Sequence, residues 1–134
     1  MPGGVVFRVG AELCFLPAHI ASKLLPVPRL ARVPGAPPEL VGLALVESET
    51  IAVVDVRPPL SMSRPAVPVR TSDLGAMLVC TYLGERVGLV GIEVVATGNF
   101  EAAPAEAVVW RGEQAHPFDL GAVITSLREG RWAV

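Results

Sequence analysis

Hydrophobic residues in this chain come in short runs separated by glycine and proline, not in long helical stripes. Val5-Val-Phe-Arg-Val9 reads as a strand, Gly10-Ala-Glu12 as a turn and Leu13-Cys-Phe-Leu16 as its return. Short β-branched and aromatic runs bounded by turn formers mark β-structure. Pro17 suits the first position of a helix. Ile20 and Leu24 stand at i,i+4, so a short helix is expected near 17–25, ended by Pro26 and Pro28. Arg29-Leu-Ala-Arg-Val33 reads as a third strand. A corner, Val33-Pro-Gly-Ala-Pro-Pro38, then feeds a hairpin over 42–57. It turns over Glu47-Ser-Glu-Thr50 and returns as Ile51-Ala-Val-Val-Asp55-Val-Arg57.

Residues 58–75 change character, with Pro58, Pro59, Pro65 and Pro68 among Ser, Met and Arg. They read as a crossing segment between two halves. The pattern then restarts. Ala76–Leu83 is a strand, Gly84-Glu-Arg86 a turn and Val87-Gly-Leu-Val90 a return. Val94 stands to Gly84 as Ile20 stands to Gly10. Val108-Val-Trp-Arg-Gly112, a polar turn, and Pro117-Phe-Asp119-Leu echo Val41–Val56, with Asp119 in the place of Asp55. Leu120–Arg128 carries apolar residues at 120, 123, 124 and 127, the spacing of a short terminal helix. A unit that occurs twice implies one domain over 1–134 built from two small β-barrels. The first is expected near 5–57 and the second near 76–119, with the crossing segment 58–75 between them and a helix at 120–128 behind. Closing each barrel removes adhesive sheet edges.

Composition sharpens this picture. Apolar residues make up 51% and the mean hydropathy of +0.53 excludes disorder. Thirteen prolines and thirteen glycines argue against a helical bundle. The net charge is −2 and the eleven basic residues are scattered, so no nucleic-acid partner is expected. The longest apolar stretch, Val87–Ile92, is far too short to span a bilayer, so no direct membrane insertion is expected. The start, Met-Pro-Gly-Gly, lacks the charged and apolar regions of a signal peptide. Cys14 and Cys80 belong to no metal or redox spacing, which suits a reducing cytoplasm.

Nothing in the chain has the pattern of a catalytic centre. His19 beside Pro17 suits a helix start and His116 before Pro117 a turn, and neither has ligand partners at metal spacing. Asp55 and Asp119 could form an acid/base pair, but their matching places at hairpin ends suit structural carboxylates. The serines show no nucleophile elbow. Gly84–Gly91 lacks the Lys and helix start of a phosphate loop. No catalytic residue, metal or cofactor is therefore expected. A small barrel enzyme or ligand-binding protein would need an apolar cavity with convergent polar groups, and no such constellation is visible.

Several of these segments, taken in order, carry a family resemblance. Phe7-Arg-Val-Gly10 opens it and Ile20 falls at the apolar position of a V-x-E-[IV] segment. Val33–Pro38 approaches the first hairpin. Gly42 and Asp55 stand thirteen apart, and Gly84-Glu-Arg-Val-Gly-Leu-Val90 resembles G-x-x-x-G-L-x-V. The series resembles the CheW family, adaptors of bacterial chemosensory arrays. The resemblance implies a mainly β fold of two SH3-like five-stranded barrels with short helices. It also implies a cytoplasmic, non-enzymatic adaptor that links the tip of a methyl-accepting chemoreceptor to the regulatory domain of a CheA-type histidine kinase. A helical receptor tip would enter an apolar groove at the seam between the halves. Ile20, Leu24, Leu43, Leu45, Val87 and Leu89 are the apolar positions that could line it, and only some of the six are expected to reach the surface.

The sequence departs from the family at two charged positions. Its N-L-R-G becomes Leu45-Val-Glu-Ser48, so the arginine is Glu47, and the glutamate of V-x-E-[IV] becomes Ser22. In the family these two positions can form an ion pair. Changing both avoids an unpaired buried charge, which costs about 3–5 kcal/mol. Ser22, Glu47 and Glu49 therefore join the six apolar residues as partner-binding candidates. The alternative is a one-sided adaptor, which binds receptor but reaches the kinase only through a second CheW-like adaptor. Negative charge at Glu47 and Glu49, and a second hairpin with only Gly112 to His116 between its strands, point that way.

Overall fold

The computed structural model of the chain describes residues 1–36, 39–57 and 75–129, the last four by backbone alone. It is mainly β. Eleven strands run in order: β1 Gly3–Val9, β2 Glu12–Pro17, β3 Ala21–Pro26, β4 Leu40–Val46, β5 Glu49–Asp55, β6 Ala76–Tyr82, β7 Glu85–Val90, β8 Glu93–Asn99, β9 Glu101–Ala102, β10 Val108–Trp110 and β11 Glu113–Pro117. Among the described residues one α-helix, α1 at Leu120–Glu129, follows, and a 3-10 turn at Pro104–Glu106 lies between β9 and β10. Residues 58–74 of the expected crossing segment lie outside the described residues.

Two rings of strands form. One sheet has the order β8-β1-β2-β11-β10-β9. Because β8 runs into β9 across the single residue Phe100, that sheet closes on itself as a five-stranded barrel. The other has the order β3-β6-β7-β5-β4. It is closed by an antiparallel bridge in which Ala31 N–H donates to Leu43 O and Leu43 N–H to Ala31 O, each at 2.8 Å. Gly42 makes that closure possible, since a Cβ there would lie 2.8 Å from Ala31 O.

The barrels do not follow the division at 5–57 and 76–119. The β1–β2 hairpin completes the barrel of the second half, while β6–β7 completes that of the first. Each barrel therefore draws on both ends of the chain, which knits the two into one unit. The repeat seen in the sequence concerns strand order; a lone hairpin cannot bury both faces and pairs where a ring lacks strands.

Three apolar clusters explain the long hydrophobic runs. Val6, Leu13, Phe15, Phe100, Val108 and Ala115 fill the first barrel. Ala44, Val46, Ile51, Val53, Met77, Val79 and Val90 fill the second. Between them lies a seam containing Val5, Phe7, Cys14, Leu16, Leu78, Cys80, Val87 and Leu89. On β1, β2, β6 and β7, alternate residues serve a barrel interior and the seam. Both faces are covered, so these strands read as continuous apolar runs.

Four local expectations differ from the structure. Residues 17–25 are not helical: Pro17 ends β2, residues 18–20 turn, and β3 follows. Nine residues without an N-cap are too few to hold a helix, whereas pairing with β6 satisfies the backbone. Of Arg29–Val33, only Ala31 bridges, because Pro28 and Pro34 lack donors on either side. In the last hairpin the turn is Arg111-Gly112, with φ of 49° and 79°, and Glu113–Pro117 is already the returning strand. His116 thus lies on β11, not in a turn. The first hairpin likewise turns in two residues, Glu47-Ser48, both at positive φ, as the twist of antiparallel strands favours.

Candidate docking surface on the second barrel

The second barrel presents its outer face as rows of residues in register. Leu43 lies opposite Ala52, Ala52 opposite Val87, and Val87 opposite Cys80. Burial rises along this row. Leu43 and Ala52 are half-buried, Val87 is 2% exposed and Cys80 is sealed. The first barrel covers β6, β7 and the Val54 end of β5, and leaves the outer flank of β4 and the tip of the β4–β5 hairpin open. One row further, Leu45 opposite Thr50 is 68% exposed. Across the sheet, Leu24 lies opposite the buried Leu78 and is itself 45% exposed.

The nine candidate residues therefore divide. Val87 and Leu89 are core, and Ile20 is half-buried against the same seam cluster. They line a seam, but one already filled by the chain's own side chains. Leu24, Leu43 and Leu45 are the apolar candidates on the surface, the open ones being Leu24 and Leu45. Ser22, Glu47 and Glu49 are exposed beside them.

Ser22 and Glu47 do not pair with each other. A bulge in β3 between Ala21 and Lys23 re-aims this stretch, and the Ser22 hydroxyl donates to Val79 O at 3.0 Å. The neighbouring Lys23 forms the ion pair with Glu47 instead. Arg86 on β7 reaches Glu47 at 3.4 Å and Glu49 at 3.2 Å. Two cations and two carboxylates from three regions of the barrel rim thus form one lattice. The hydrogen bond from Lys23, then the Lys23 charge and more weakly Arg86, hold the Glu47 carboxyl below its ordinary pKa against a small desolvation effect. The excess negative charge expected at the hairpin tip is largely balanced.

Lys23 and Arg86 were missed by sequence reasoning. The available signal was that Lys23 is the single lysine and adjoins Ser22. Leu83 was missed as well: it is 84% exposed at the β6–β7 turn with φ 51°, a conformation that suits Gly or Asn better. The two aspartates singled out by the sequence have structural partners. Asp55 is buried and its carboxylate accepts from Arg57 Nε at 2.9 Å and Nη2 at 2.6 Å. The hydrogen bonds from Arg57 to Asp55 raise the guanidinium pKa further. Gly91 leaves room for this pair, since a Cβ there would strike Asp55 Oδ1. Asp119 caps α1 by accepting from Ala122 N–H at 2.9 Å. The two aspartates thus hold a loop and a helix start. Burial pushes the Cys80 thiol up to about 12, and burial with the charge of Glu12 raises Cys14. Among the described residues no three His, Cys, Asp or Glu side chains cluster as a metal site. No helix among them is long and apolar enough to cross a membrane.

Comparison with known proteins bears on this architecture. The family model described as CheW-like domain matches residues 3–133. The crystal structure of the scaffolding protein TtCheW from Thermoanaerobacter tengcongensis superposes with a TM-score of 0.65 at 17% sequence identity. The match covers 90% of this chain and 86% of that one. No curated protein matches. With the family match spanning nearly every residue and the same fold found in a solved scaffold, the chain belongs to the CheW-like domain family.

Proposed function

We propose that the protein is a non-enzymatic chemosensory adaptor in the cytoplasm, which links the helical tip of a methyl-accepting chemoreceptor to a CheA-type histidine kinase. The observation that carries this is the open flank of the second barrel. Leu24 and Leu45 remain exposed beside a seam where equivalent side chains are buried, and an ion-paired rim surrounds them. Apolar centres with charged rims are the anatomy of protein docking surfaces. The charged groups of this rim bind one another, and the work proposed is geometric: two surfaces hold two proteins in register.

Leu45→Arg tests the receptor side. We expect a folded chain whose affinity for a receptor-tip fragment falls by about 2 kcal/mol or more, the effect of losing a contact hot spot. Unchanged affinity in a folded variant would move the contact off this flank.

The one-sided reading rests on Glu47, which stands where the resembling family carries arginine. The lattice weakens the case for it, because Lys23 and Arg86 match the charge that would repel a kinase surface. Titration of the kinase regulatory domain by calorimetry separates the two. We expect direct binding; receptor binding without kinase binding would establish the one-sided adaptor.

A further inference from the structure

The tip of the β4–β5 hairpin stands clear of the strands on either side of it. Toward β3, the last backbone link is the bridge between Leu43 and Ala31. Toward β7, pairing begins only at Ala52, opposite Val87. From Ala44 to Thr50, no backbone hydrogen bond among the described residues ties the hairpin to either flank. Inside the barrel, Ala44, Val46 and Ile51 anchor it to the apolar interior. The outward side chains, Leu45 and residues 47–50, are exposed.

The turn does not hold that outward half unaided. Glu47 and Ser48 sit at φ of 50° and 68°, where such turns favour Asn and Gly. A residue with an ordinary Cβ is strained there, so the conformation needs support from outside. Side chains supply it. Lys23 holds Glu47 from β3. Arg86 takes both acids from β7, Nη1 donating to Glu49 at 3.2 Å and Nη2 to Glu47 at 3.4 Å. The two cations are not equivalent. Lys23 follows the bulge in β3 and its side chain is 44% exposed. Arg86 lies in the unbroken β6–β7 ladder opposite Thr81, beside the sealed Val87, and its side chain is 20% exposed. Water and salt screen a partly buried pair less than an open one. The planar fork also fixes two carboxylates relative to each other, which a single ammonium does not. Arg86 is therefore the rigid post of the lattice.

We infer that Arg86 is a positioning residue of the docking face: by clasping Glu47 and Glu49 it orients the hairpin tip, and so sets where Leu45 meets a partner. This rests on the adaptor reading, in which Leu45 is a contact residue. Arg86 acts without touching the partner. Its effect passes through Leu45, on the strand that leads into the clasped turn.

Arg86→Gln in the full-length chain removes the clasp, and hydrogen exchange tests the result without a partner. Val46 and Glu49 lie opposite each other beside the turn. We expect their amides to exchange at least about threefold faster in the variant, with those of Val53 and Val79 unchanged. Unchanged exchange at Val46 and Glu49 would overturn the inference, as would equal acceleration at all four. Glu49→Gln breaks the same contact from the exposed side without altering β7. It should speed the same two amides, which keeps the test decisive if Arg86→Gln does not fold. A second arm titrates a chemoreceptor-tip fragment against wild type, Leu45→Ala, Arg86→Gln and the double variant. Arg86→Gln should weaken binding by about fivefold, but by less than about twofold once Leu45 is alanine, because changes acting through one contact are not additive. A loss of the same size in both backgrounds would mean that Arg86 meets the partner directly. That would overturn the inference and leave the adaptor reading standing, as would no loss in either. If the fragment does not bind wild type, the adaptor reading fails, and the exchange arm alone decides whether Arg86 holds the tip.

Discussion

Strand β7 and the β4–β5 hairpin are written in the same alphabet, yet they meet opposite fates. Both alternate apolar residues on two faces, and Val87 and Leu45 look alike in the sequence. Val87 is 2% exposed and Leu45 is 68% exposed. Interior positions behave the same way in both regions, since Val90 and Val46 fill one barrel core. The difference lies on the outer face, where the first barrel covers β7 but not β4. Apolarity on an outer face therefore means core or contact according to what packs above it. That is why a leucine left open beside a sealed seam carries functional weight.

The sharpest way to break this comparison is to put a charge on each side of it. Val87→Arg would bury an unpaired guanidinium in the seam, and we expect no cooperative folding transition. Leu89→Ala is milder: about 2–5 kcal/mol lost, a large share of a typical domain's stability. Leu45→Arg should shift stability by no more than about 0.5 kcal/mol, as surface changes do. Comparable thermal shifts from Val87→Arg and Leu45→Arg would show that the two faces are equally buried.

A chemical probe sharpens the same contrast. Cys14 and Cys80 both lie in the seam, and burial raises both thiols, that of Cys80 to about 12. At about pH 8.5, where an ordinary free thiol is half ionised, the native chain should resist alkylation over hours. A cysteine placed at Leu45 should react within minutes. Rapid labelling of wild-type Cys80 would mean that the barrels separate readily.

Much of the fold was legible because strand runs and glycine turns are local. Gly10 and Gly84, both at positive φ, mark their turns through backbone sterics alone. What was not legible depends on distant partners. The stretch Ala21–Pro26 becomes a strand because β6 offers it a pairing edge, and no window of its own sequence says so. The barrels exchange hairpins for the same reason. At the candidate surface, the hydrophobic pattern grouped Ile20, Leu24, Leu43, Leu45, Val87 and Leu89 as one class. Only the covering barrel sorts them into contact and core. Lys23 entered the rim through a bulge that shifts register by one residue, and register is where local patterns fail.

The smallest expected effect concerns that rim. Glu47, exposed on the rim, is tied to Lys23 and Arg86, and its carboxyl pKa is lowered mainly by the Lys23 hydrogen bond. A carboxylate with a lowered folded pKa stabilises the fold above its ordinary value, and that contribution is lost as pH falls through the folded value. Exposed pairs are screened by salt, so the effect should be modest. Glu47→Gln should melt slightly below wild type near neutral pH at low salt. The gap should close as pH falls through the lowered folded value of Glu47 and also when salt is raised at neutral pH. Glu47→Arg should be worse, because it sets a third cation beside Lys23 and Arg86 with only Glu49 to balance them. Adding Lys23→Glu to that variant should recover the loss by restoring a pair of opposite polarity, whereas adding Ser22→Glu should recover less, since the Ser22 hydroxyl is directed to Val79 O. A gap between wild type and Glu47→Gln that stays constant with both pH and salt would mean that the lattice does not hold the rim in solution. The hairpin tip would then present bare negative charge, and the one-sided adaptor would become the better reading.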